Sequence, residues 1–502
     1  MKRLTRIFIL ACMVLLAVSC QRQTVDAHML RAGLAQLPMT LDPRYATDAA
    51  SMRVQEFIHR GLVRLDEHFE PRPDLAEGWE HPSRLRWRFR LRRGIRFHDG
   101  SMMDAADVVA TLQAVLDPAM ASPLRAGFAA IDHVEADGND TVVIHLKYPD
   151  ASLLTRLNIG ILPASLAGLP QKARTTIGCG AFRLRRWQGN VLELTRMIQD
   201  GKGNARVIRF SAVKDPVTRV LKLVRGELDF VQNDLPPHLL PYIRQQKSLM
   251  IQTRPSTTFA YIGLNLRDSI LDDVRVRRAL ALGLDRKKLK KALFSDLPEL
   301  AETVLTTSHW ATAKLQPQAY DPGEAERLLD AAGFPRRENA VRFRLNYRTS
   351  TDPTRLRLAT AIASMWGKIG VEVSIESLEW GGFYARIKRG DFQVFSLSWV
   401  GITDPDIYRW ILHSSMWPPK GANRGRYANA QADAWLDAAA TADNQAVRKA
   451  LYQKVQHKMH EDMVYIPLWH EPVIAVSGPR ISGFRPSPDG SLLGLMTVRI
   501  RD

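Results

Sequence analysis

Alternation of apolar and polar residues predicts a strand early in the chain. In the run LRWRFRLRRGIRF, Leu85 to Phe97, every second position is apolar at first and the positions between are arginines. A period of two predicts a strand with one buried and one basic face. Apolar positions from Ala105 to Leu116 then recur at helical spacing, with Asp104 placed to cap the helix. A strand followed by a helix indicates α/β organisation.

The same patterns continue along the chain. DTVVIHLKY (140–148) and TTFAYIGLNL (257–266) are typical of strands, and the residues around 188–190 predict a hairpin. Beyond Asp272 helices dominate and alternate with strands, and MVYIPLWHEPVIAV (463–476) is strand-like with two prolines. We find no long Gly/Ser linker, so crossing strands are expected to join the lobes.

The first twenty residues have the pattern of a signal peptide. Three basic residues precede an apolar run from Ile7 to Val18, which ends at Ser19 and Cys20. Residues 1–19 are predicted to be removed, leaving a lipidated tether at 20–27, because a cysteine after Ala17-Val18-Ser19 resembles a lipobox. The alternative is ordinary cleavage of the signal peptide near this position, without lipidation. Both predict a protein outside the cytoplasm.

Composition limits the fold and the partners. At 502 residues, with 45% hydrophobic and 24% charged residues, the chain predicts two or three folded lobes. Cys179 is the only cysteine after Cys20, so no internal disulfide is expected in the mature body. The formal charge of +18 suits an anionic ligand or lipid surface, and export argues against nucleic acid as the partner.

A run of motifs over the whole mature chain resembles the family 5 extracytoplasmic solute-binding proteins of ABC importers, which include dipeptide- and oligopeptide-binding proteins. The motifs are LDPRYATD (41–48), GLVRLD (61–66), PRPDLAEGWE (71–80), FRLRRGIRFHDG (89–100), DDVRVRRALALGLDRKKL (272–289), YDPGEAERLLDAAGF (320–334), KIGVEVSIESLEWGGF (368–383) and SLSWVGITDPDIYRW (396–410). Each motif alone is a weak indication of the family, and it is their common order and spacing that support the resemblance.

The resemblance implies an α/β protein with the type II (cluster C) periplasmic binding protein fold: two lobes, a small extra domain and a hinged ligand cleft. Mapped onto this chain, the first lobe is 28–265 with an embedded domain at about 52–175, the second lobe is 266–472, and 473–502 returns to the first lobe. The implied partners are a peptide or peptide-like solute and a membrane permease. A monomer anchored through lipid in the periplasm, with no cofactor, is expected.

The resemblance also implies binding residues. Trp380 and Trp399 match tryptophans that line side-chain pockets in peptide-binding members, although a core role is the alternative. Those members hold the peptide amine with an aspartate three residues after the second tryptophan, where this chain has Ile402. Asp404, in a shortened turn, is the candidate replacement, and the alternative is a ligand without a free amine at this position. Tyr45, Tyr261 and Asn423 complete the predicted set.

Two further positions depart from the pattern. Arginines that help to hold the peptide carboxylate in oligopeptide binders correspond to Ile387 and Ser396, neither of which is basic. Arg424 or Arg426 is expected to supply the cation, with a solvated loop role as the alternative. A ligand other than a peptide therefore remains open: a metal chelate, haem, an opine or a sugar phosphate.

Catalysis and metal binding have little support in the sequence. No nucleophile elbow, zinc-protease helix or phosphate loop occurs. His457, His460 and Glu461 share a helix face, and His470 adjoins Glu471, but no third ligand or general base is evident. The spacing of Asp404 and Asp406 around a proline predicts a turn, whereas glycoside hydrolysis needs two carboxyls across a sugar. We therefore expect neither an enzyme nor a metal site.

Overall fold

A computed structural model of the chain describes residues 27–170, 176–197, 203–233, 235–236, 239–336, 341–442 and 444–501. The predicted signal peptide and Cys20 lie outside the described residues. Within these ranges, no helix has the length and apolar character needed to cross a bilayer.

Strands and helices alternate along the described chain. The strands are β1 (Met29–Leu34), β2 (Val63–Leu65), β3 (Pro71–Pro73), β4 (Ala76–Ser83), β5 (Arg86–Leu91), β6 (Ile131–Ala136), β7 (Thr141–Leu146), β8 (Phe182–Gln188), β9 (Val191–Arg196), β10 (Val207–Ala212), β11 (Phe230–Gln232), β12 (Met250–Leu264), β13 (Glu299–Leu300), β14 (Phe343–Ser350), β15 (Val371–Leu378), β16 (Val394–Trp399), β17 (Tyr465–Ser477), β18 (Ile481–Ser482) and β19 (Arg499–Ile500). The helices are α1 (Ala49–Gln55), α2 (Ala105–Leu116), α3 (Leu153–Arg156), α4 (Ala164–Ala167), α5 (Pro216–Val224), α6 (Leu240–Gln245), α7 (Val274–Leu282), α8 (Arg286–Phe294), α9 (Pro322–Ala331), α10 (Pro353–Lys368), α11 (Trp380–Arg389), α12 (Ile407–Leu412), α13 (Ala430–Ala440) and α14 (Gln445–Glu461). Short 3₁₀ turns occupy Pro118–Met120, Arg125–Phe128, Ser414–Met416 and Leu493–Thr497.

One mixed sheet runs through both lobes. Its strand order is β15-β14-β16-β12-β17-β11-β1-β10-β9-β8, with β13 also paired to β17. The pairs β14/β15, β14/β16, β1/β10 and β1/β11 are parallel, and the other pairs are antiparallel. The predicted α/β class with two lobes is confirmed.

The long strands β12 and β17, of 15 and 13 residues, connect the two lobes. Their pairing is interrupted between Pro255/Pro472 and Phe259/His470, so that residues 256–258 stand opposite Glu471 alone. A second irregularity falls at Tyr261, which pairs with Pro467. Proline has no N–H to donate, so both prolines of β17 lie where the ladder is already broken. This interrupted part of the two crossing strands, 256–258 and 471, is called the hinge.

A smaller antiparallel sheet, in the order β4-β5-β7-β6, forms the additional domain together with α2. As predicted, β5 buries Trp87, Phe89 and Leu91 and turns its arginines outward. Two of these arginines form ion pairs, Arg88 with Asp137 and Arg90 with Glu77, which reduces the positive charge of that face. Asp104 caps α2, as predicted, by accepting from the Ala106 N–H at 2.9 Å.

Each part has its own apolar core. Residues of 481–500 pack with β1, β9 and β10 in the core of the first lobe, which places the C-terminal segment there. The second lobe has two clusters, one around Trp366 and Trp469 and one around Tyr261 and Phe395. The numerical boundaries predicted for the lobes remain predictions.

Candidate functional site

A cleft of about 1940 Å³ opens between the two lobes at the hinge. The first lobe contributes Arg53, in the last turn of α1, and Glu56, directly after the helix. The second lobe contributes Arg355, at the start of α10, and the hinge contributes Glu471. The cleft is therefore lined by both lobes and by the hinge.

Ionisable side chains of both signs line the cleft. Its lining carries seven carboxylates and only four arginines: Glu56, Asp66, Glu67, Asp74, Asp352, Glu471 and Asp489, against Arg53, Arg60, Arg64 and Arg355. Some of the carboxylates are already paired, as in the contact between Arg60 and Asp74 at 2.6 Å. Asp66 and Glu67 likewise pair with arginines, Arg72 at 2.7 Å and Arg254 at 3.0 Å, so the count of carboxyl groups overstates the negative charge of the cleft.

On the first-lobe wall, Glu56 accepts a hydrogen bond from the Ser491 hydroxyl at 2.6 Å. Burial, with a smaller contribution from nearby Asp489, raises the pKa of Glu56 to about 8. The carboxyl consequently carries a proton at neutral pH and can act as a donor in the cleft.

Next to the hinge, Arg355 of α10 and Glu471 of β17 both contact residues of the strand β16. The Arg355 guanidinium is 3.4 Å from the Ser396 carbonyl oxygen and 5.5 Å from the centre of the Trp380 ring. Glu471 accepts from the Ser398 hydroxyl at 2.9 Å, and burial raises the pKa of its carboxyl. A cation and a carboxylate thus face one cleft from one wall.

Behind this wall, Arg424 is buried in an aromatic cluster. It donates to the hydroxyls of Tyr261 at 2.9 Å and Tyr384 at 3.2 Å, and its guanidinium carbon lies 4.3 Å from the centre of the Trp399 ring. The Tyr261 and Trp399 rings are stacked at 6.0 Å, and burial raises the pKa of Tyr261 to about 12. Within the described chain Arg424 has no carboxylate in ion-pair range, so its guanidinium is stabilised by two tyrosine hydroxyls and by the face of a tryptophan ring.

The acidic turn after β16 contacts protein groups. Asp404 lies 3.1 Å from the Thr155 hydroxyl and 3.4 Å from the Arg448 guanidinium. Asp406 accepts from the Tyr452 hydroxyl at 2.9 Å, and burial together with the neighbouring Asp404 raises the pKa of Asp406. The two carboxylates thus connect the turn before α12 to α3 and α14.

One group of side chains has the chemistry of a metal site. His133, Glu135 and His145, on β6 and β7, have ligand atoms within 4.8 Å of one another. The two imidazoles form a cross-strand pair with ring centres 4.2 Å apart. These residues are at least partly exposed on the additional domain and do not line the cleft.

Comparison with known proteins identifies the family. Residues 70–417 match the model of the bacterial extracellular solute-binding proteins, family 5 (middle region). The chain belongs to this family. The assignment confirms the resemblance inferred from the motifs, and the family is one of transport proteins rather than enzymes.

Individual relatives cover most of this family 5 protein. A probable di/tripeptide-binding protein 5 from Pseudomonas aeruginosa is 29% identical over 458 residues, 83% of this chain and 85% of its own. The glutathione-binding protein GsiB of Salmonella paratyphi A is 27% identical over 473 residues, 90% of both chains. The solved structure of HbpA2 from Haemophilus parasuis superposes with a TM-score of 0.84 at 25% identity, covering 94% of this chain and all of that one.

None of the eight predicted ligand-binding residues is among the residues that line the cleft. Tyr261, Trp399 and Arg424 come together in the aromatic cluster described above. Trp380 begins α11 with 47% of its surface exposed and stacks on Tyr384. Asp404 is engaged by Thr155 and Arg448. Their roles in binding remain predictions.

The other three predicted residues have clear packing partners. Ile402 is 6% exposed within the second-lobe core, and its N–H donates to the Thr257 carbonyl at 3.2 Å. The Asn423 amide donates to the carbonyls of Leu412, His413 and Tyr427. The Tyr45 hydroxyl donates to the Met120 carbonyl at 2.6 Å.

Arg355 and Glu471 were missed as ligand-binding candidates. Glu471 was considered only beside His470 as a metal ligand, although a single carboxylate inside a strongly apolar strand is the signal that could have singled it out. Arg355 lies in the first turn of a helix, where its sequence neighbours give no indication that it faces a cleft.

Proposed function

We propose that this chain is the substrate-binding component of an ABC import system, which captures a peptide or peptide-like solute in the cleft and delivers it to a membrane permease. The observation that carries the proposal is the cleft at the two-strand hinge, with ionisable groups of both signs on its walls. A ligand that touches both lobes stabilises the closed form, and a permease can distinguish that form from the open one.

The relatives support a peptide as the ligand, since the two reported above are named for di/tripeptides and for glutathione. The lining carries ionisable groups of both signs, which suits a ligand with both a positive and a negative group better than strongly anionic sugar phosphates or haem. Metal chelates and opines remain alternative ligands for the same fold. The proposal includes a periplasmic location and a lipid anchor on Cys20.

The test is a binding screen on the purified mature chain from Gln21 onward. Di- and tripeptides, glutathione, metal chelates, haem, opines and sugar phosphates are compared by thermal shift, and each positive ligand is followed by small-angle X-ray scattering. We expect peptides to raise the melting temperature and to reduce the radius of gyration. Stabilisation by chelates or opines alone would contradict the peptide assignment, and stabilisation without compaction would contradict lobe closure.

A further inference from the structure

Two histidines and a glutamate come together on the solvent face of the additional domain. His133 and Glu135 lie on β6, and His145 lies on β7, directly opposite His133 in the strand pairing. The Glu135 carboxylate is 3.0 Å from His145 Nε2, and the centres of the two imidazole rings are 4.2 Å apart. Two imidazole nitrogens and a carboxylate oxygen are a set of ligands that Zn²⁺ takes in proteins.

A β-bulge explains how these polar side chains reach one face. The pairing of β6 with β7 shifts between Ile131 and His133, so Asp132 is the extra residue of the bulge. As a result Ile131 is buried, whereas Asp132 and the next residue, His133, are both exposed. Strict alternation would place these two neighbours on opposite faces of the sheet. Bulges are frequent where a strand re-aims a side chain at a functional site.

The bulge also gives His133 a partner for one of its ring nitrogens. The Asp132 carboxylate lies 2.9 Å from His133 Nδ1, so a neutral ring carries its proton on Nδ1 and keeps a lone pair on Nε2. Histidines that bind metals usually donate their other ring N–H to a carboxylate or a carbonyl, which orients the ring and makes it a better ligand. Asp132 therefore has the position of such an outer partner.

The distances within the group suit a single ion. Two donor atoms bound to one tetrahedral Zn²⁺ at about 2.0–2.1 Å lie about 3.3 Å from each other. The contact of 3.0 Å between Glu135 and His145 is close to this spacing, and all three ligand atoms lie within 4.8 Å of one another. The imidazole planes are nearly parallel, at 9°, so the partly exposed rings must rotate for their nitrogens to converge on the ion.

We propose that His133, Glu135 and His145 bind one divalent transition-metal ion of the Zn²⁺ type, and that Asp132 positions His133 for it. Three protein ligands leave a fourth coordination position to water. In the smaller sheet β6 is an edge strand, so the ion links this edge to β7. The site is separate from the cleft and does not depend on which ligand the cleft binds.

The test is isothermal titration calorimetry of Zn²⁺ into the mature chain from Gln21 onward, purified without a histidine tag and stripped with EDTA. The wild type is expected to bind one Zn²⁺, and Mg²⁺ should not compete, because it prefers oxygen ligands. His133→Gln and His145→Gln should each weaken the binding at least about tenfold. Zn²⁺ should also raise the melting temperature of the wild type more than that of either variant, because it stabilises the folded chain that binds it.

Two neighbouring variants test the local electrostatics. Asp132→Asn should weaken Zn²⁺ binding about tenfold, because the outer partner of His133 loses its charge. Arg86 pairs with His145 across β5 and β7, so its positive charge lies beside the site. Arg86→Gln should therefore strengthen the binding, by about twofold. Melting temperatures measured without metal check that each variant is folded.

The control combines His457→Gln with His460→Gln, which removes two histidines from α14, outside the additional domain. Its affinity for Zn²⁺ should equal that of the wild type. The inference is overturned if the wild type binds no Zn²⁺, if binding survives unchanged in both His133→Gln and His145→Gln, or if the control loses it. None of these outcomes bears on the proposed function, since no peptide enters the experiment.

Discussion

The Thr155 hydroxyl lies 3.1 Å from the carboxylate of Asp404, a residue 249 positions later in the chain. The same carboxylate meets Arg448, which also donates to the Ala151 carbonyl at 3.1 Å. A second contact lies nearby, where the Phe69 and His309 rings stack at 5.6 Å. The additional domain therefore contacts the second lobe directly, and the acidic turn after β16 is part of that contact.

We expect the Thr155→Val substitution to lower the free energy of unfolding by about 1 kcal/mol, since it removes, with little change in shape, a hydroxyl that contacts both Asp404 and the Ser152 carbonyl oxygen. Asp404→Asn should cost more, about 2–3 kcal/mol, because Arg448 then loses its charged partner. Urea unfolding measures both. The double variant should lose less than the sum of the two, because the residues share one contact. Strict additivity would show that the 3.1 Å contact contributes nothing.

The contacts of Arg424 in the aromatic cluster predict that the stability of the fold depends on its guanidinium group. Lysine cannot donate to the Tyr261 and Tyr384 hydroxyls in the fixed geometry of a guanidinium, so Arg424→Lys should destabilise the fold by about 2 kcal/mol. The matched control is Arg426→Lys, two residues away in an exposed position, where the expected change is within about 0.5 kcal/mol. Equal melting temperatures for the two variants would show that the two phenol contacts do not stabilise Arg424.

Features set by local sequence were predictable. The alternation in β5, the Asp104 cap of α2 and the β8/β9 hairpin each depend on residues that are neighbours in the chain. The family motifs added the two-lobed arrangement. These features follow from periodicity and capping, which act over a few residues and do not depend on the rest of the fold.

The cleft lining was not predictable in the same way. Ile402 is a predicted ligand-binding residue, and its position in the second-lobe core, with its N–H on the Thr257 carbonyl, is set by residues distant in the sequence. Glu471 acquires its environment from Ser398 and from the β12 break, which come from distant parts of the sequence. Which side of a strand faces a cleft depends on such long-range pairing, and no local pattern encodes it.

The lipid anchor is predicted from sequence alone. Cys20→Ser removes the thiol that would carry the lipid, so the full-length protein should move from the membrane fraction to the soluble periplasmic fraction. Cys179→Ser is the control, because that cysteine is buried in the additional domain and should leave the fractionation unchanged. Retention of Cys20→Ser in the membrane fraction would show that another segment anchors the chain.

Three buried histidines predict a loss of stability in acid. Burial lowers the pKa of His59, His309 and His470 from 6.5 to about 4 in the folded state. Between these values the unfolded chain binds more protons than the folded one. The free energy of unfolding therefore falls as the pH drops from 6.5 to 4, by up to about 1.4 kcal/mol per pH unit for each imidazole.

Carboxyl groups with a raised pKa, such as Glu56, change the free energy of unfolding with pH in the opposite direction. The contribution of a histidine is therefore measured by comparing a histidine variant with the wild type. In His309 the Nδ1 atom accepts from the Ala311 N–H at 3.1 Å, which requires the neutral ring. Urea unfolding of His309→Gln between pH 4 and 7 should show a shallower acid slope than the wild type, while His457→Gln, an exposed control, should keep the wild-type slope. Identical slopes for all three proteins would mean that His309 takes up its proton in the folded chain as readily as in the unfolded one.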